Sequence, residues 1–211
     1  MKGRLITFEG GEGAGKSSLI KLLHEALVQK GFKVLLTREP GGSIGAERIR
    51  KLIVEKNEPD FDALTELLLL MSARRDHWIH TLRPALEEGK IILCDRFIDS
   101  SFVYQGYVGG VDLAFIKTAY EIVVEGCVYP DKTYYIDLDP KVGLSRVLTR
   151  SNQTQNNETR FEQKGLEFHQ RVRQGFLDHI KTDPMRFHLL DGKACLEENL
   201  RLILKDFFEN I

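Results

Sequence analysis

Several things are scarce in this sequence, and each scarcity excludes something. Net charge is nearly absent, with 30 Lys and Arg against 31 Asp and Glu, a formal charge of −1. Proteins that grip long nucleic acids carry a basic excess or stripe, so no nucleic-acid partner is expected, whereas small anionic ligands stay open. Cysteine is rare: Cys94, Cys127 and Cys195 lie far apart without C-x-x-C spacing. That pattern suggests neither a zinc knuckle nor a disulfide framework, and it points to a reducing cytoplasmic compartment. Long apolar runs are missing as well. Leu5–Phe8 runs straight into glycines, and Leu67–Met71 lies inside a charged helical segment, so no export signal and no membrane association are expected. His77 and His80 lack a carboxylate or Cys at ligand spacing and read as surface or interface histidines.

What is present is alternation. Short β-type runs at Leu5–Phe8, Lys33–Thr37, Ile91–Asp95, Thr133–Asp137 and Arg186–Leu190 are separated by segments of helical period. The helices are placed at Lys16–Lys30, Ile44–Val54, Asp62–Glu88 with a disturbance at Pro84, Asp112–Val124, Pro140–Thr149, Arg160–Ile180 and Leu196–Phe208. This order implies an α/β fold, a five-stranded parallel sheet with helices on both faces. A length of 211 residues suits one domain, 1–211, better than two. The polar stretch Ser151–Thr159, flanked by Arg150 and Arg160, interrupts the rhythm. Too few residues follow it for a second core, so it reads as a mobile lid at about 150–161, not a linker.

The strongest motif is Gly10-Gly11-Glu12-Gly13-Ala14-Gly15-Lys16-Ser17, followed by Ser18. It fits G-x-x-x-x-G-K-[ST] and falls between the first strand and the first helix, the context of a P-loop NTPase fold. Glycines let successive N–H groups turn inward onto phosphate oxygens, and the helix that follows adds its positive end. Lys16 is suited to the β- and γ-phosphates and the Ser17 hydroxyl to Mg²⁺. A nucleoside triphosphate such as ATP is the expected ligand.

Three further clusters decide between a switch, a motor and a small-molecule kinase. They are Thr37-Arg38-Glu39-Pro40-Gly41-Gly42, Asp95-Arg96-Phe97 and Arg74-Arg75. Ligands of an open parallel sheet bind beyond the carboxyl ends of its strands, which would bring Arg38, Glu39, Asp95 and Arg96 to the phosphate loop. Asp95 is placed where a carboxylate near Mg²⁺ or its waters is expected. Arginines suit bidentate phosphate contacts, so several beside one triphosphate suggest a second, phosphorylated substrate. The plainer alternatives are a Pro-Gly turn, a structural Asp95–Arg96 ion pair and a solvated helix face at Arg74-Arg75. No N-K-x-D segment for reading guanine occurs.

Taken together, Phe8-Glu9-Gly10 with the phosphate loop, Thr37–Gly42, Ala73-Arg74 and Asp95-Arg-Phe-Ile-Asp-Ser-Ser-Phe-Val-Tyr-Gln-Gly106 make the chain resemble the thymidylate kinases over nearly its whole length. The resemblance implies ATP and thymidylate (dTMP) as substrates, products dTDP and ADP in dTTP synthesis, Mg²⁺, and a homodimer. It implies that Glu12 holds the deoxyribose 3′-hydroxyl and that Arg38, Arg50 and Arg96 gather about the monophosphate, with Arg96 bridging donor and acceptor, while Glu39 belongs to the substrate site. Arg74, Ser101 and Gln105 match the positions that read the thymine edge, and Tyr104 the aromatic beside the sugar. One subclass carries an arginine inside the phosphate loop; Gly13 stands there, and Arg160 resembles the compensating lid arginine of the bacterial-type subclass, with Arg150 a second candidate. Leu70 replaces the aromatic ring that usually stacks on the base, so either base affinity is lower or Phe102 or another ring covers the face. The alternatives are another P-loop nucleotide or nucleoside kinase, or a non-catalytic nucleotide-dependent switch.

A phosphate monoester has a second pKa of about 6, so it is already an anionic nucleophile at neutral pH and no general base is needed. Catalysis is expected from alignment and from charge neutralisation by Lys16, Arg96, Arg160 and Mg²⁺, with Glu12 positioning the sugar.

Overall fold

The computed structural model describes residues 3–55, 61–151 and 164–210. The lid segment with Arg160, and the side chain of Arg150, lie outside the described residues.

Five strands form one parallel sheet: β1 Arg4–Gly10, β2 Val34–Arg38, β3 Ile91–Asp95, β4 Lys132–Asp137 and β5 Phe187–Asp191, in the order β2-β3-β1-β4-β5. All five fall where the apolar runs predict: β3 coincides with its run and the others are displaced by no more than two residues at their ends, which is ordinary for element boundaries. β1 is central and buried along nearly its whole length, as a strand covered on both faces must be. Its side chains alternate. Ile6 and Phe8 enter an apolar cluster beneath α1 (Lys16–Gln29), while Leu5 enters another cluster with Leu67, Ile92 and Tyr120. Period two then sends Glu9 to the same face as Leu5, fully buried.

The chain leaves β1 for β2 but inserts β3 between them. This reversal opens a crevice beyond the carboxyl ends of β1 and β3. Register fixes what faces it: Phe8 pairs with Asp95, and Arg38 also pairs with Asp95.

The predicted helix over 62–88 is three pieces. α3 (Ala63–His77) is capped by the Asp62 carboxylate, which accepts from the Leu64 and Thr65 amides at 2.9 and 3.0 Å. A π-helical turn over Trp78–Leu82 follows, then α4 (Arg83–Glu87). Pro84 cannot donate to the carbonyl four residues back and its ring crowds that carbonyl, so the ladder widens in the turn before it. The segment after β3, with no element assigned from sequence, is a short α5 (Ile98–Ser101) running into a second π-helical stretch over Phe102–Val108. The remaining helices, α2 (Ile44–Val54), α6 (Leu113–Val123), α7 (Pro140–Ser151), α8 (Leu166–Ile180) and α9 (Leu196–Asn210), match their predicted positions within a few residues. The exception is α8, predicted from Arg160: residues 160–163 lie outside the described residues, but Lys164 and Gly165 are not helical, and the helix starts at Leu166 after an extended Gly165.

Candidate active site

Gly15 begins α1 in a left-handed conformation, φ 94°, and no side chain caps the helix. Its first amides therefore remain for a ligand, and a phosphate is the group that satisfies them best. Gly13 has φ 70°, and a Cβ added there would lie 2.2 Å from the Gly143 carbonyl oxygen on α7. No larger residue fits this place, so a cation needed here must come from another element. Lys16 is folded back, donating to the Gly10 and Gly11 carbonyls at 3.1 Å each. Burial, then the neighbouring Arg96 charge, holds its ammonium below the usual lysine value. The Ser17 hydroxyl donates to Asp95 Oδ2 at 2.9 Å.

Arg96 follows β3 with φ 66°, a left-handed backbone that costs a residue with a side chain about 1–3 kcal/mol. Glu9 holds this turn. Its Oε1 accepts from the Phe97 and Ser100 amides at 2.9 and 3.1 Å, and its Oε2 from the Ser100 hydroxyl at 2.6 Å. Burial pushes the Glu9 carboxyl up to about 7, against the pull of Arg96. The Arg96 guanidinium in turn donates to Glu12 Oε1 at 2.8 Å and lies 5.4 Å from the centre of the Tyr104 ring. Burial alone would raise the Glu12 carboxyl, but Arg96 and Lys16 outweigh it and hold it below the usual carboxylate value.

Arg74 is anchored below. Its Nε donates to Glu39 Oε2 at 2.7 Å and its Nη1 and Nη2 to the Ser101 hydroxyl at 3.3 and 3.2 Å. Glu39 Oε1 meets His77 Nδ1 at 3.0 Å, and His77 Nε2 meets the Thr37 hydroxyl at 2.7 Å. His77 is therefore fully buried, contrary to the surface or interface role expected from sequence, because a neighbouring carboxylate satisfies it. Glu39 likewise is more than a turn residue. The Arg74-Arg75 pair divides: Arg75 turns outward to the Val123 carbonyl and Glu125.

These groups surround one cavity of about 370 Å³. All the binding, catalytic and metal candidates within the described residues line it except Gly10 and Gly11, whose carbonyls hold Lys16. Arg38 sits at the rim, donating to Glu47 Oε2 at 3.1 Å, and Arg50 donates to the Pro40 carbonyl at 2.7 Å. Leu70 lines the cavity, as do Phe97 and Tyr104. Phe102 does not; it stacks on His179 with ring centres 5.1 Å apart, so it cannot replace the missing stacking ring. Asp137, at the carboxyl end of β4, is held by Arg173 through two bonds of 2.6 and 2.7 Å, and Asp139 caps α7 through the Lys141 amide.

The donor set fits Mg²⁺. Ser17 and Asp95 offer hard oxygens in contact with each other, and Mg²⁺ is held by one or two carboxylates, substrate phosphates and water, not by a protein cage. Among the described residues no three His, Cys, Asp or Glu side chains converge to form such a cage.

A second cavity of about 390 Å³ lies behind the phosphate loop, lined by Gly13, Arg146, Gly192, Cys195 and Asn199 among others. Arg146 donates to the Gly13 and Gly192 carbonyls at 3.3 and 3.2 Å. Reasoning from the sequence passed over it, since one arginine within a charged helix carries no signal until Gly143 brings α7 against the loop. It gave Glu9 no role beyond its place in Phe8-Glu9-Gly10, and it passed over Glu66, a single acidic residue in an otherwise apolar stretch.

The comparisons with known proteins agree with this geometry. A sequence model of the family described as thymidylate kinase matches residues 8–203. A thymidylate kinase of Magnetococcus marinus is 48% identical over 192 residues, covering 91% of this chain and 89% of that protein. One from Bacillus pumilus is 38% identical, covering 97% and 95%. The crystal structure of thymidylate kinase from Ehrlichia chaffeensis superposes with a TM-score of 0.78 at 33% identity, over 98% of this chain and all of that one. With the phosphate loop, the arginine-lined cavity and these relatives all in accord, the chain belongs to the thymidylate kinase family.

Proposed function

We propose that the cavity holds two nucleotides end to end, and that the residues named above divide the work between them. The reaction is transfer of the γ-phosphoryl group of ATP to thymidylate, giving dTDP and ADP for dTTP synthesis. One observation carries the assignment of roles: a phosphate loop and four arginines, Arg38, Arg50, Arg74 and Arg96, open onto the same space. A single triphosphate needs fewer cations than that.

In this reading the loop amides 10–18 and Lys16 take the donor phosphates, and the donor base enters the cavity beside Arg146. Ser17 and Asp95 would hold Mg²⁺, which would supply charge neutralisation on the phosphates. Arg38 and Arg50, fixed near Glu39-Pro40, bind the acceptor phosphate. Arg96 lies between the two phosphates, its unusual backbone braced by Glu9 and its side chain by Glu12. Glu12 takes the 3′-hydroxyl, Tyr104 borders the sugar, and Arg74, Ser101 and Gln105 face the base. Glu39 acts through Arg74, which it positions. Leu70 contributes apolar contact without stacking. The acceptor phosphate is already anionic, so the protein's task is alignment and screening of charge. Arg160 of the lid supplies the cation that Gly13 leaves no room for.

The proposal extends to the assembly and its setting. We infer a homodimer, formed through Leu64 and Leu68 of α3 and Phe115 and Ile122 of α6, all substantially exposed on two helices that pack together. One domain and a cytoplasmic location complete the reading; among the described residues no helix is long and apolar enough to cross a membrane.

An assay of ADP release over thymidylate, deoxyuridylate, adenylate, guanylate, cytidylate and shikimate tests it. Activity should be highest with thymidylate. Activity confined to adenylate, or none with any acceptor, would falsify the reading. In the same assay Arg160→Ala should lower kcat far more than it raises the KM for thymidylate, and an unchanged kcat removes Arg160 from the machinery.

A further inference from the structure

Gln105 is 2% exposed and lines the acceptor cavity. Its Nε2 donates to Glu66 Oε2 at 3.1 Å, while its Oε1 is buried and meets no hydrogen-bond partner among the described residues. A buried amide oxygen left unpaired costs about 1–3 kcal/mol, so this atom calls for an N–H from something that enters the cavity. Glu66, on α3, does not line the cavity. We propose that Glu66 is a specificity-determining positioning residue: it fixes which end of the Gln105 amide faces the base, and so selects imide pyrimidines over 4-amino pyrimidines.

The argument is one of donors and acceptors. A primary amide can present either its NH₂ or its oxygen by turning over, whereas a carboxylate only accepts. Glu66 therefore binds the NH₂ end, and the oxygen is the end left over for a ligand's donor. Turning the amide over would set its oxygen against the carboxylate, acceptor against acceptor. Thymine and uracil carry an N3–H that satisfies the waiting oxygen. Cytosine carries a lone pair at N3, and two acceptors then face each other without a proton between them. Selection thus works through a penalty on the wrong base as well as a bond to the right one. The 5-methyl group is not on this edge, so Glu66 should not separate thymidylate from deoxyuridylate.

The inference rests on the reading that thymidylate occupies this cavity, and the test separates the two. Wild-type protein inactive on thymidylate overturns that reading. With wild type active, Glu66→Gln, which keeps shape but can donate or accept, frees the amide to turn. The ratio of kcat/KM for thymidylate over deoxycytidylate should then fall about tenfold or more, while the ratio for thymidylate over deoxyuridylate stays as in wild type. An unchanged thymidylate-to-deoxycytidylate ratio, or an equal loss on all three substrates, overturns the role of Glu66. Should the variant fail to fold, side-chain amide NMR of wild type with bound thymidylate decides: the Gln105 Nε2 protons should be protected and show contacts to Glu66, and contacts of those protons to the base overturn the proposal.

Discussion

Glu39 shows what one carboxylate supports at the scale of the residue. It is buried between Arg74 and His77, and despite burial those partners hold its carboxyl below the ordinary value. Removing one member of a buried ion pair leaves the other charged and unsolvated, which typically costs about 3–5 kcal/mol. Glu39→Ala should therefore lower stability by about that amount, read as a shift of the urea midpoint, and should also raise the KM for thymidylate as Arg74 loses its anchor. A midpoint within experimental error of wild type would show that Arg74 finds another partner. From sequence, Glu39 was legible as a member of the site but not as the prop of Arg74, because thirty-five residues separate them and no local pattern marks that pairing.

One of the two π-helical stretches sets the geometry at the scale of the element. That over Phe102–Val108 carries Tyr104 and Gln105 into the cavity, and a wider turn at a binding site is a recurrent use of this conformation. Helix α3 serves two sides at once. Glu66, Leu67, Met71 and Arg74 face inward, while Leu64 and Leu68 are 45% and 51% exposed. A helix with leucines on its solvent face is amphipathic in the wrong sense for a monomer. The substitution Leu68→Glu should convert a dimer to a monomer in sedimentation experiments. Wild-type protein that is already monomeric at micromolar concentration would instead remove the assembly reading.

Stability against pH belongs to the whole molecule, because several buried carboxylates contribute with opposite sign. Glu39 and Asp99 are held below their usual values. For Asp99 burial raises the carboxyl, but the hydrogen bonds and charges of Arg186 and His179 outweigh it. Their stabilisation is present above the unfolded-state pKa of about 4 and is lost as pH falls through the lower folded values. Glu9 runs the other way. Its folded pKa of about 7 exceeds the unfolded 4.5, so the native state keeps a proton the unfolded chain has released, and stability falls as pH rises across that window. Thermal melts should thus show maximum stability near about pH 5, declining on both sides. Glu9→Gln should flatten the neutral decline and leave the acid one. A variant that loses stability in parallel with wild type across neutral pH would show that Glu9 is ionised throughout.

The sequence by itself determined the strands, most of the helices, the phosphate loop and many of the residues that line the cavity, because those follow from periodicity and from residue types at fixed short spacing. Period and spacing act within a few residues, and so do the propensities that place a strand or open a helix at Gly15. Tertiary structure alone decided which charges pair. It set Glu9 against the Arg96 turn, Glu39 between Arg74 and His77, α7 against Gly13, and Glu66 against Gln105. Such pairings depend on the crossover that inserts β3 between β1 and β2, and hydrogen bonds and charges respond to distance in space, which chain order does not encode.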